Sequence, residues 1–374
     1  MGRGAVIAGI GQTLFGKLPG RTTVSMNIEA CRKAIADAGI EKGVIDSLLV
    51  KVPTSKVEMM YGQTLAEAMA LKPRFGGVFD QGGASNISMI GIAAMAIEAG
   101  QCEVALVCLA DNPKTGTRQA YEKPWGEAAD LGWSSVVAGY AMIAQRYIHE
   151  FPDAEDLFAE IAIACRAHGA ANPDAQLRLP LDRDTYDSAK WVVEPLRRDD
   201  CCLISDGAAA VVVMSEKLAN VMGIAAPVPI LGFGQGNSSS DVTLRRDLTQ
   251  THADISAQTA FKMAGLGPKD MDCAQLYDCF TVTVAMTLES YGFGSRAALT
   301  EVGRAGGFHS NGPLPINTAG GLLSETGMPG LQLVLEGVRQ MRGTSTSQVR
   351  DATKCIVSNQ GGIMHTHSTL ILGQ

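Results

Sequence analysis

Short apolar runs alternate along the chain with longer segments in which apolar residues recur at helical spacing. Residues 5–10 form such a run ahead of a glycine and are predicted to be a buried strand. Apolar positions over 25–38 follow helical spacing and stop at Gly39, a residue type that commonly ends helices. The alternation predicts an α/β fold with buried sheets. Further strands are expected over 48–52, 104–109, 208–214, 229–233, 354–358 and 368–372.

The segment 85–99 is apolar almost all round, which is typical of a helix enclosed on every side. The motif Asp80-Gln-Gly-Gly-Ala-Ser-Asn86 leads directly into it. Glycines followed by Ser and Asn predict a tight turn and a capped helix start, which presents backbone N–H groups to a ligand. Gly83 and Ser85 are therefore candidate oxyanion or substrate-binding residues, and a purely structural cap is the alternative.

An internal repeat relates the two parts of the chain. At one constant offset, Ala34, Ala38, Gly39, Ile40 and Asp46 recur as Ala260, Ala264, Gly265, Leu266 and Asp272. The repeat predicts two duplicated α/β halves, residues 1–220 and 221–374, although common helix-end chemistry would also account for it. Residues about 111–200 are interpreted as a loop-rich insertion in the first half that shapes a substrate pocket or a dimer contact.

Composition and charge narrow the class of protein. Of the 374 residues, 46% are hydrophobic and 18% are charged, so the chain can form a large buried core. The 42 glycines and the low charge favour a surface that is partly covered by another subunit. A net charge of -7 disfavours a nucleic-acid partner. No apolar run reaches the roughly 18 residues of a membrane helix. The nine cysteines have no framework spacing, so we expect reduced thiols in a cytoplasmic protein.

The segment Leu276-Tyr-Asp-Cys-Phe-Thr281 follows a predicted strand with polar residues. Because α/β proteins place ligands at the carboxyl ends of strands, Tyr277, Asp278 and Cys279 are candidate site residues. The alternative is that Cys279 belongs to the core and Asp278 caps a helix.

A glycine-dense segment runs from Asn317 to Gly330 and precedes an amphipathic helix that ends near residue 341. Glycines allow the backbone to approach a ligand closely, so Asn317, Gly320 and Gly321 are candidate binding residues. The basic pairs at 197–198 and 245–246 would suit a phosphate, but exposed basic pairs are more often merely solvated.

The segment 358–368 lies between the last two predicted strands and contributes Asn359, Gly361 and Gly362 as candidate binding residues. His365 and His367 would share a face of an extended chain. No third metal ligand is identifiable, so no metal site is predicted. One histidine is expected to act as an acid or base, and a buried structural histidine is the alternative for each.

Taken together and in this order, the motifs resemble the thiolase superfamily, and most closely its sterol-carrier-protein-x type members and their bacterial lipid-transfer relatives. The resemblance covers essentially the whole chain and includes the Ser-Asp-Gly-Ala-Ala-Ala-Val-Val-Val segment at 205–213. It implies a five-layer α-β-α-β-α fold built from two similar βαβαβαββ halves, usually as a homodimer. It also implies an acyl-CoA thioester as substrate, with no bound cofactor.

The sequence departs from the family at the catalytic positions. Gly83 stands where the family has its nucleophilic Cys, and 326–329 reads Thr-Gly-Met-Pro, without the family's activating His. Asn359 stands near the position of the family's acid/base Cys, and Tyr277 replaces the His of the family's His-Asp-Cys-Phe segment. The remaining glycine turns would still stabilise an enolate oxygen. The pattern favours a C–C bond reaction without an acyl-enzyme.

Relatives of this kind resemble retro-aldolases that cleave β-hydroxyacyl-CoA side chains, including those of steroids. By that resemblance Tyr277 would take or give the β-hydroxyl proton, and His365 or His367 would assist. Backbone N–H groups near Gly83 and at 361–362 would hold the enolate oxygen.

The resemblance also implies a small partner protein with an OB-fold and a zinc ribbon, and a second tyrosine near Gly327, where this sequence has none. Two alternatives remain open. Cys279 would be the displaced nucleophile of an acyltransferase, or the chain would be a non-catalytic subunit or an acyl-CoA binder.

Overall fold

A computed structural model describes residues 4–117, 130, 133 and 135–374. Its helices are α1 (Thr23–Asp37), α2 (Tyr61–Ala68), α3 (Ser85–Glu98), α4 (Val136–Glu150), α5 (Ala154–Ala171), α6 (Arg183–Asp187), α7 (Glu216–Met222), α8 (Ala253–Ala264), α9 (Thr281–Ser290), α10 (Arg296–Arg304), α11 (Gly321–Ser324) and α12 (Gln332–Arg342). Its strands are β1 (Ala5–Gln12), β2 (Ser47–Val50), β3 (Phe75–Val78), β4 (Val104–Asp111), β5 (Trp191–Val193), β6 (Leu196–Arg197), β7 (Gly207–Ser215), β8 (Val228–Asn237), β9 (Cys273–Gln275), β10 (Lys354–Gly361) and β11 (Thr366–Gly373). Each strand predicted from an apolar run is present.

Nine of these strands form one sheet in the order β3-β2-β4-β7-β1-β8-β11-β10-β9. The two halves meet where β1 pairs with β8 through Val6–Pro229 and Ile7–Val228. Counted outward from this junction, the first half continues with β7, β4 and β2, and the second half continues with β11, β10 and β9. The chain visits the strands in the same order in both halves. Beyond β2 the first half adds β3, and beyond β9 the second half has an isolated bridge, Ala274–Ile316.

The repeated residues have the same structural task in each half. The carboxylate of Asp46 accepts a hydrogen bond from the backbone N–H of Val104 at the start of β4 (2.9 Å). The carboxylate of Asp272 does the same for Lys354 at the start of β10 (2.9 Å). The helices that precede them, α1 and α8, are each followed by a left-handed glycine. The predicted boundary near residue 220 lies within α7, ahead of β8, and stays a prediction.

The helices form three layers around the two halves of the sheet. α1 packs on the outer face of the first half, against β1, β7 and β4, and α8 packs on the outer face of the second half, against β8 and β11. α3 and α12 lie between and contact strands of both halves. This explains why α3 is apolar all round, with Ile87, Ile90 and Ile97 fully buried. None of the described helices is both long and apolar enough to cross a membrane.

The segment interpreted as a loop-rich insertion is largely helical where it is described, because α4 and α5 account for most of 136–171. Apolar residues recur along both helices at helical spacing, and they pack against α9 and α10. The parts of the insertion at 118–129, 131, 132 and 134 lie outside the described residues. Among its described residues, the insertion contributes the side chain of Tyr140 of α4 to the candidate site.

Candidate active site

Gly83 and Tyr277 meet at the start of α3. A Cβ atom built on Gly83 would lie 2.5 Å from Tyr277 Oη and closer still to the carbonyl oxygen of Gln360. Carbon atoms are normally about 3.5–4.0 Å from nonbonded neighbours, so no side chain fits at position 83 without displacing both groups. The tyrosine hydroxyl therefore occupies the space that a side chain at this position would need.

Tyr277 is placed by the end of β9. Its backbone N–H donates to Ser358 Oγ in the neighbouring strand β10 (3.1 Å), and its carbonyl accepts from the Thr283 hydroxyl in α9 (2.8 Å). Its side chain is half-buried. Tyr277 thus lies just beyond the end of β9, and its part in a functional site stays a prediction.

Asn317 and Asp278 hold the backbone around Tyr277. The Asn317 amide accepts from Leu276 N–H (2.6 Å) and donates to Leu276 O (2.9 Å). The Asp278 carboxylate accepts from the N–H of Leu322 at the start of α11 (2.7 Å), and burial raises the pKa of this carboxyl to about 6. Asp278 therefore has the capping role that the sequence left as the alternative. Gly321 lies against this carboxylate, where a side chain would collide with it.

Two glycine loops contact each other backbone to backbone beside Tyr277. In the first, Ser85 Oγ accepts from Gln81 N–H (2.7 Å) and donates to Gly82 O (2.7 Å), which fixes the turn ahead of α3. In the second, Gly361 lies so close to Gln81 O that a Cβ atom would overlap it. Gly362 follows with a φ of 64°, a conformation that favours glycine. The loops thus bring backbone groups from α3 and from the end of β10 together.

Two buried amides flank the tyrosine ring. Asn86 Nδ2 donates to Pro329 O (3.2 Å), and Asn359 Nδ2 donates to Gly330 O (3.2 Å). The Oδ1 atoms of both are buried and have no hydrogen-bond partner among the described residues. A Cβ atom on Gly330 would lie 3.0 Å from the Tyr277 ring. Because buried polar atoms are rarely left unpaired, these two acceptors are suited to a donor group of a bound molecule.

The structure separates His367 from this cluster. Its neighbour in β11, Ser368, donates to Ala84 O at the start of α3 (2.9 Å), so alternation along the strand directs His367 to the other face of the sheet. There His367 Nε2 lies 2.9 Å from Tyr291 Oη, and burial lowers the pKa of the imidazole to about 3. The expectation that His367 assists catalysis is therefore not supported by its position.

His365 and His367 do not share a face, because β11 begins only at Thr366 and His365 lies in the preceding turn. His365 Nδ1 is 3.1 Å from Ser239 Oγ. Burial and the neighbouring charge of Arg245 lower the pKa of His365 to about 4. The imidazole is therefore neutral at pH 7.

Cys279 lies in the core, which was the alternative to a role in the site. Its side chain is 8% exposed, and its Sγ accepts from Gln360 Nε2 (2.9 Å). Burial raises the pKa of this thiol to about 12, whereas a nucleophilic thiol requires a lowered pKa. The displaced-nucleophile mechanism thus lacks an ionised thiol at this position.

Tyr140 lies outside every motif of the sequence. Its hydroxyl donates to Gly362 O (2.7 Å) and accepts from Gln360 Nε2 (3.0 Å), so it fixes the second glycine loop. In the sequence it is one apolar position of a helix more than 200 residues from that loop, and no local signal marks it. Asn86, in contrast, stood within the turn motif and could have been selected as its second polar residue.

Comparisons with known proteins identify the family to which this chain belongs. A family profile described as thiolase C-terminal domain-like matches residues 234–374. A steroid side-chain-cleaving aldolase from Thermomonospora curvata is 32% identical over 99% of this chain and 97% of the relative. A 17-hydroxy-3-oxo-4-pregnene-20-carboxyl-CoA lyase from Mycobacterium tuberculosis is 32% identical over 99% of both chains.

Among solved structures, the Ltp2-ChsH2(DUF35) aldolase superposes with a TM-score of 0.90 at 32% identity, covering 100% of this chain and 98% of the other. These findings confirm the five-layer fold. The chain belongs to the thiolase superfamily, among the proteins similar to sterol carrier protein thiolases.

Proposed function

We propose that this protein is a lyase that cleaves the Cα–Cβ bond of a β-hydroxyacyl-CoA thioester by a retro-aldol reaction. The observation that carries the proposal is the position of the Tyr277 hydroxyl in the space where a side chain at Gly83 would stand. No nucleophile is available there to form an acyl-enzyme, and a proton-transferring group takes its place. The two aldolase and lyase relatives at 32% identity support the same reaction class.

The reaction balances as a proton-transfer cycle. Tyr277 Oη acts as the base of this cycle and, deprotonated at its start, takes the proton of the β-hydroxyl group. The Cα–Cβ bond breaks, the β-carbon becomes an aldehyde or ketone carbonyl, and the bonding electron pair forms the enolate of the shortened thioester. The Tyr277 phenol then returns its proton to Cα, which yields an acyl-CoA and restores the phenolate.

The surrounding residues have separate parts in this proposal. Backbone N–H groups at the start of α3 and in the 361–362 loop stabilise the enolate oxygen, which carries charge only as the bond breaks. Because the single proton of the β-hydroxyl group goes to Tyr277, the Oδ1 atoms of Asn86 and Asn359 are assigned to other N–H or O–H donors of the bound ester. Asp278, Asn317 and the glycines at 320–321 position the Tyr277 backbone rather than contact substrate.

The proposal includes partners and localisation. We propose a cytoplasmic homodimer that requires no bound cofactor and that acts with a small OB-fold partner bearing a zinc ribbon. The support for a partner is that the related aldolase structure contains both Ltp2 and ChsH2. The acyl group beyond the β-carbon is not part of the proposal.

The test is an assay of the full chain, with any co-purifying protein retained, on a panel of β-hydroxyacyl-CoA and 3-oxoacyl-CoA esters. We expect a carbonyl product and a shortened acyl-CoA from a β-hydroxyacyl-CoA, with no change in the intact mass of the protein. A mass gain equal to the acyl group would instead indicate acyl transfer through a covalent intermediate. Binding without turnover of any ester would indicate a non-catalytic acyl-CoA binder.

A further inference from the structure

Arg245 folds inward beside the second glycine loop, unlike its neighbour Arg246, which is exposed. It lies in the segment between β8 and α8, and its Nη2 donates to the carbonyl oxygen of Ile363. Its Nε donates to Ser239 Oγ (3.4 Å). Its Nη1 is buried and has no hydrogen-bond partner among the residues the structure describes. The basic pair at 245–246 is therefore not simply a solvated pair.

The positive charge of Arg245 has no counter-charge in the described part of the chain. None of the ion pairs among the described residues includes the guanidinium, and burial lowers the pKa of Arg245. Asp241 is close in sequence, but its carboxylate accepts from the backbone N–H (2.9 Å) and hydroxyl (2.8 Å) of Thr243. Since buried charges are normally paired, the unpaired guanidinium N–H is a position for an anion supplied by a ligand.

His365 completes the donor set. Its Nδ1 is 3.4 Å from Arg245 Nη2, its side chain is only 6% exposed, and its Nε2 is buried without a described partner. A guanidinium and an imidazole on adjoining loops provide N–H donors to one oxyanion, and the planar guanidinium suits carboxylate and phosphate oxygens.

This cluster adjoins the candidate active site. Ile363, which Arg245 contacts, directly follows Gly362, whose carbonyl accepts from the Tyr140 hydroxyl. Gly361 in turn contacts Gln81 ahead of α3. An anion bound at Arg245 would therefore lie against the loop that also contacts the turn ahead of α3.

We propose that Arg245 and His365 form a subsite for an oxyanion carried by the acyl-CoA substrate. This inference rests on the proposed function and extends it to the charge of the substrate. Two parts of an acyl-CoA can supply the oxyanion: a carboxylate on the acyl chain or a phosphate of the CoA moiety. Both have the same chemistry at the subsite, and ligands that lack one or the other distinguish them.

The experiment measures dissociation constants by calorimetry for the full-length protein with succinyl-CoA, acetyl-CoA and acetyl-pantetheine. The variant is Arg245→Gln, and the matched control is Arg246→Gln at the exposed neighbour. If the acyl chain supplies the anion, we expect Arg245→Gln to raise the dissociation constant of succinyl-CoA at least tenfold and that of acetyl-CoA little. If a phosphate supplies the anion, we expect Arg245→Gln to weaken the binding of both CoA esters equally and to leave the binding of acetyl-pantetheine unchanged.

Other outcomes overturn the subsite. The proposed subsite would be contradicted if Arg245→Gln bound all three ligands with the same affinity as the wild type. It would also be contradicted if Arg245→Gln lost as much affinity for acetyl-pantetheine, which lacks the anions, as for the CoA esters. An equal loss in the Arg246→Gln control would also contradict it. If the wild type binds no ester at all, the proposed function itself fails, which is a different result. If Arg245→Gln does not fold, Arg245→Lys takes its place, because it keeps the charge but not the planar guanidinium group. We expect Arg245→Lys to lose less affinity, and to lose it for the same ligands.

Discussion

The phenolic oxygen of Tyr277 lies 2.5 Å from the point where residue 83 would carry its Cβ atom, so the glycine and the tyrosine depend on each other. A cysteine at position 83 would displace the hydroxyl, and the hydroxyl in its present place excludes a cysteine. The two departures from the usual thiolase residues are thus one structural change. It replaces a side chain at the start of α3 by a tyrosine hydroxyl, to which we assign the proton transfers.

Tyr277→Phe removes that hydroxyl while it keeps the ring. We expect kcat for β-hydroxyacyl-CoA cleavage to fall by about 10²- to 10⁴-fold, the usual contribution of a general acid or base. The melting temperature and the KM should change little. Tyr291→Phe is the matched control, because Tyr291 contacts His367 on the far side of the sheet, and it should retain kcat. Equal activity of wild type and Tyr277→Phe would eliminate the proposed role.

Gly83→Ala tests the space at the start of α3. The added methyl group collides with Tyr277 Oη and Gln360 O, and overpacking of this kind typically costs about 1–3 kcal/mol in the free energy of unfolding. Displacement of Tyr277 by even 1 Å should lower kcat by about 10²-fold. Gly43→Ala is the control, because a Cβ atom there meets nothing within 4 Å. Denaturant unfolding and the cleavage assay measure both effects.

Cys279 should resist alkylation in the native protein. With a thiol pKa of about 12, the thiolate fraction at pH 8 is on the order of 10⁻⁴. After incubation with iodoacetamide, peptide mapping should find Cys279 unmodified and the cleavage activity intact. The denatured protein serves as the control, and all nine cysteines should react in it. Rapid labelling of native Cys279 with loss of activity would restore the displaced-nucleophile mechanism.

His367→Ala should affect stability rather than catalysis. It removes a fully enclosed ring and the contact with Tyr291, and we expect a loss of about 2–4 kcal/mol in the free energy of unfolding, with kcat unchanged. The exposed His149→Ala is the matched control and should alter neither quantity. A large fall in kcat in well-folded His367→Ala would place His367 in the catalytic machinery after all.

Glu325 gives a pH dependence of stability with a definite sign. Burial raises the pKa of its carboxyl from 4.5 to about 8, and its Oε2 has no hydrogen-bond partner in the described part of the chain. Between these values the folded protein keeps a proton that the unfolded chain has lost, so the contribution of Glu325 to stability decreases as the pH rises from about 4.5 to 8. It is fully present below pH 4.5.

Glu325→Gln resembles the protonated form at every pH. We expect its stability to match that of the wild type near pH 4.5 and to exceed it above pH 8 by up to about 5 kcal/mol, the free energy that corresponds to a pKa of about 8 in place of 4.5. Thermal unfolding of both proteins from pH 4.5 to 9 measures the difference. A difference that does not change with pH would contradict the raised pKa.

Local patterns were sufficient for much of the fold. Apolar runs bounded by glycine marked the buried strands, and the absence of any polar face on 85–99 marked a helix enclosed between two sheet halves. The repeat of Asp46 at Asp272 identified the duplication, because each carboxylate caps the start of an equivalent strand. Such features are patterns that the amino-acid sequence itself displays, and so they can be inferred without coordinates.

The sequence by itself also determined which catalytic groups are absent, since a missing side chain at Gly83 needs no coordinates to be recognised. Only the tertiary structure decided which of the remaining polar residues meet. It brought Tyr277 to Gly83 and Arg245 to Ile363, and it turned His367 to the opposite face of the sheet. These relationships join segments more than 100 residues apart in the chain or depend on where a strand begins. They are set by packing of whole layers, which no local pattern records.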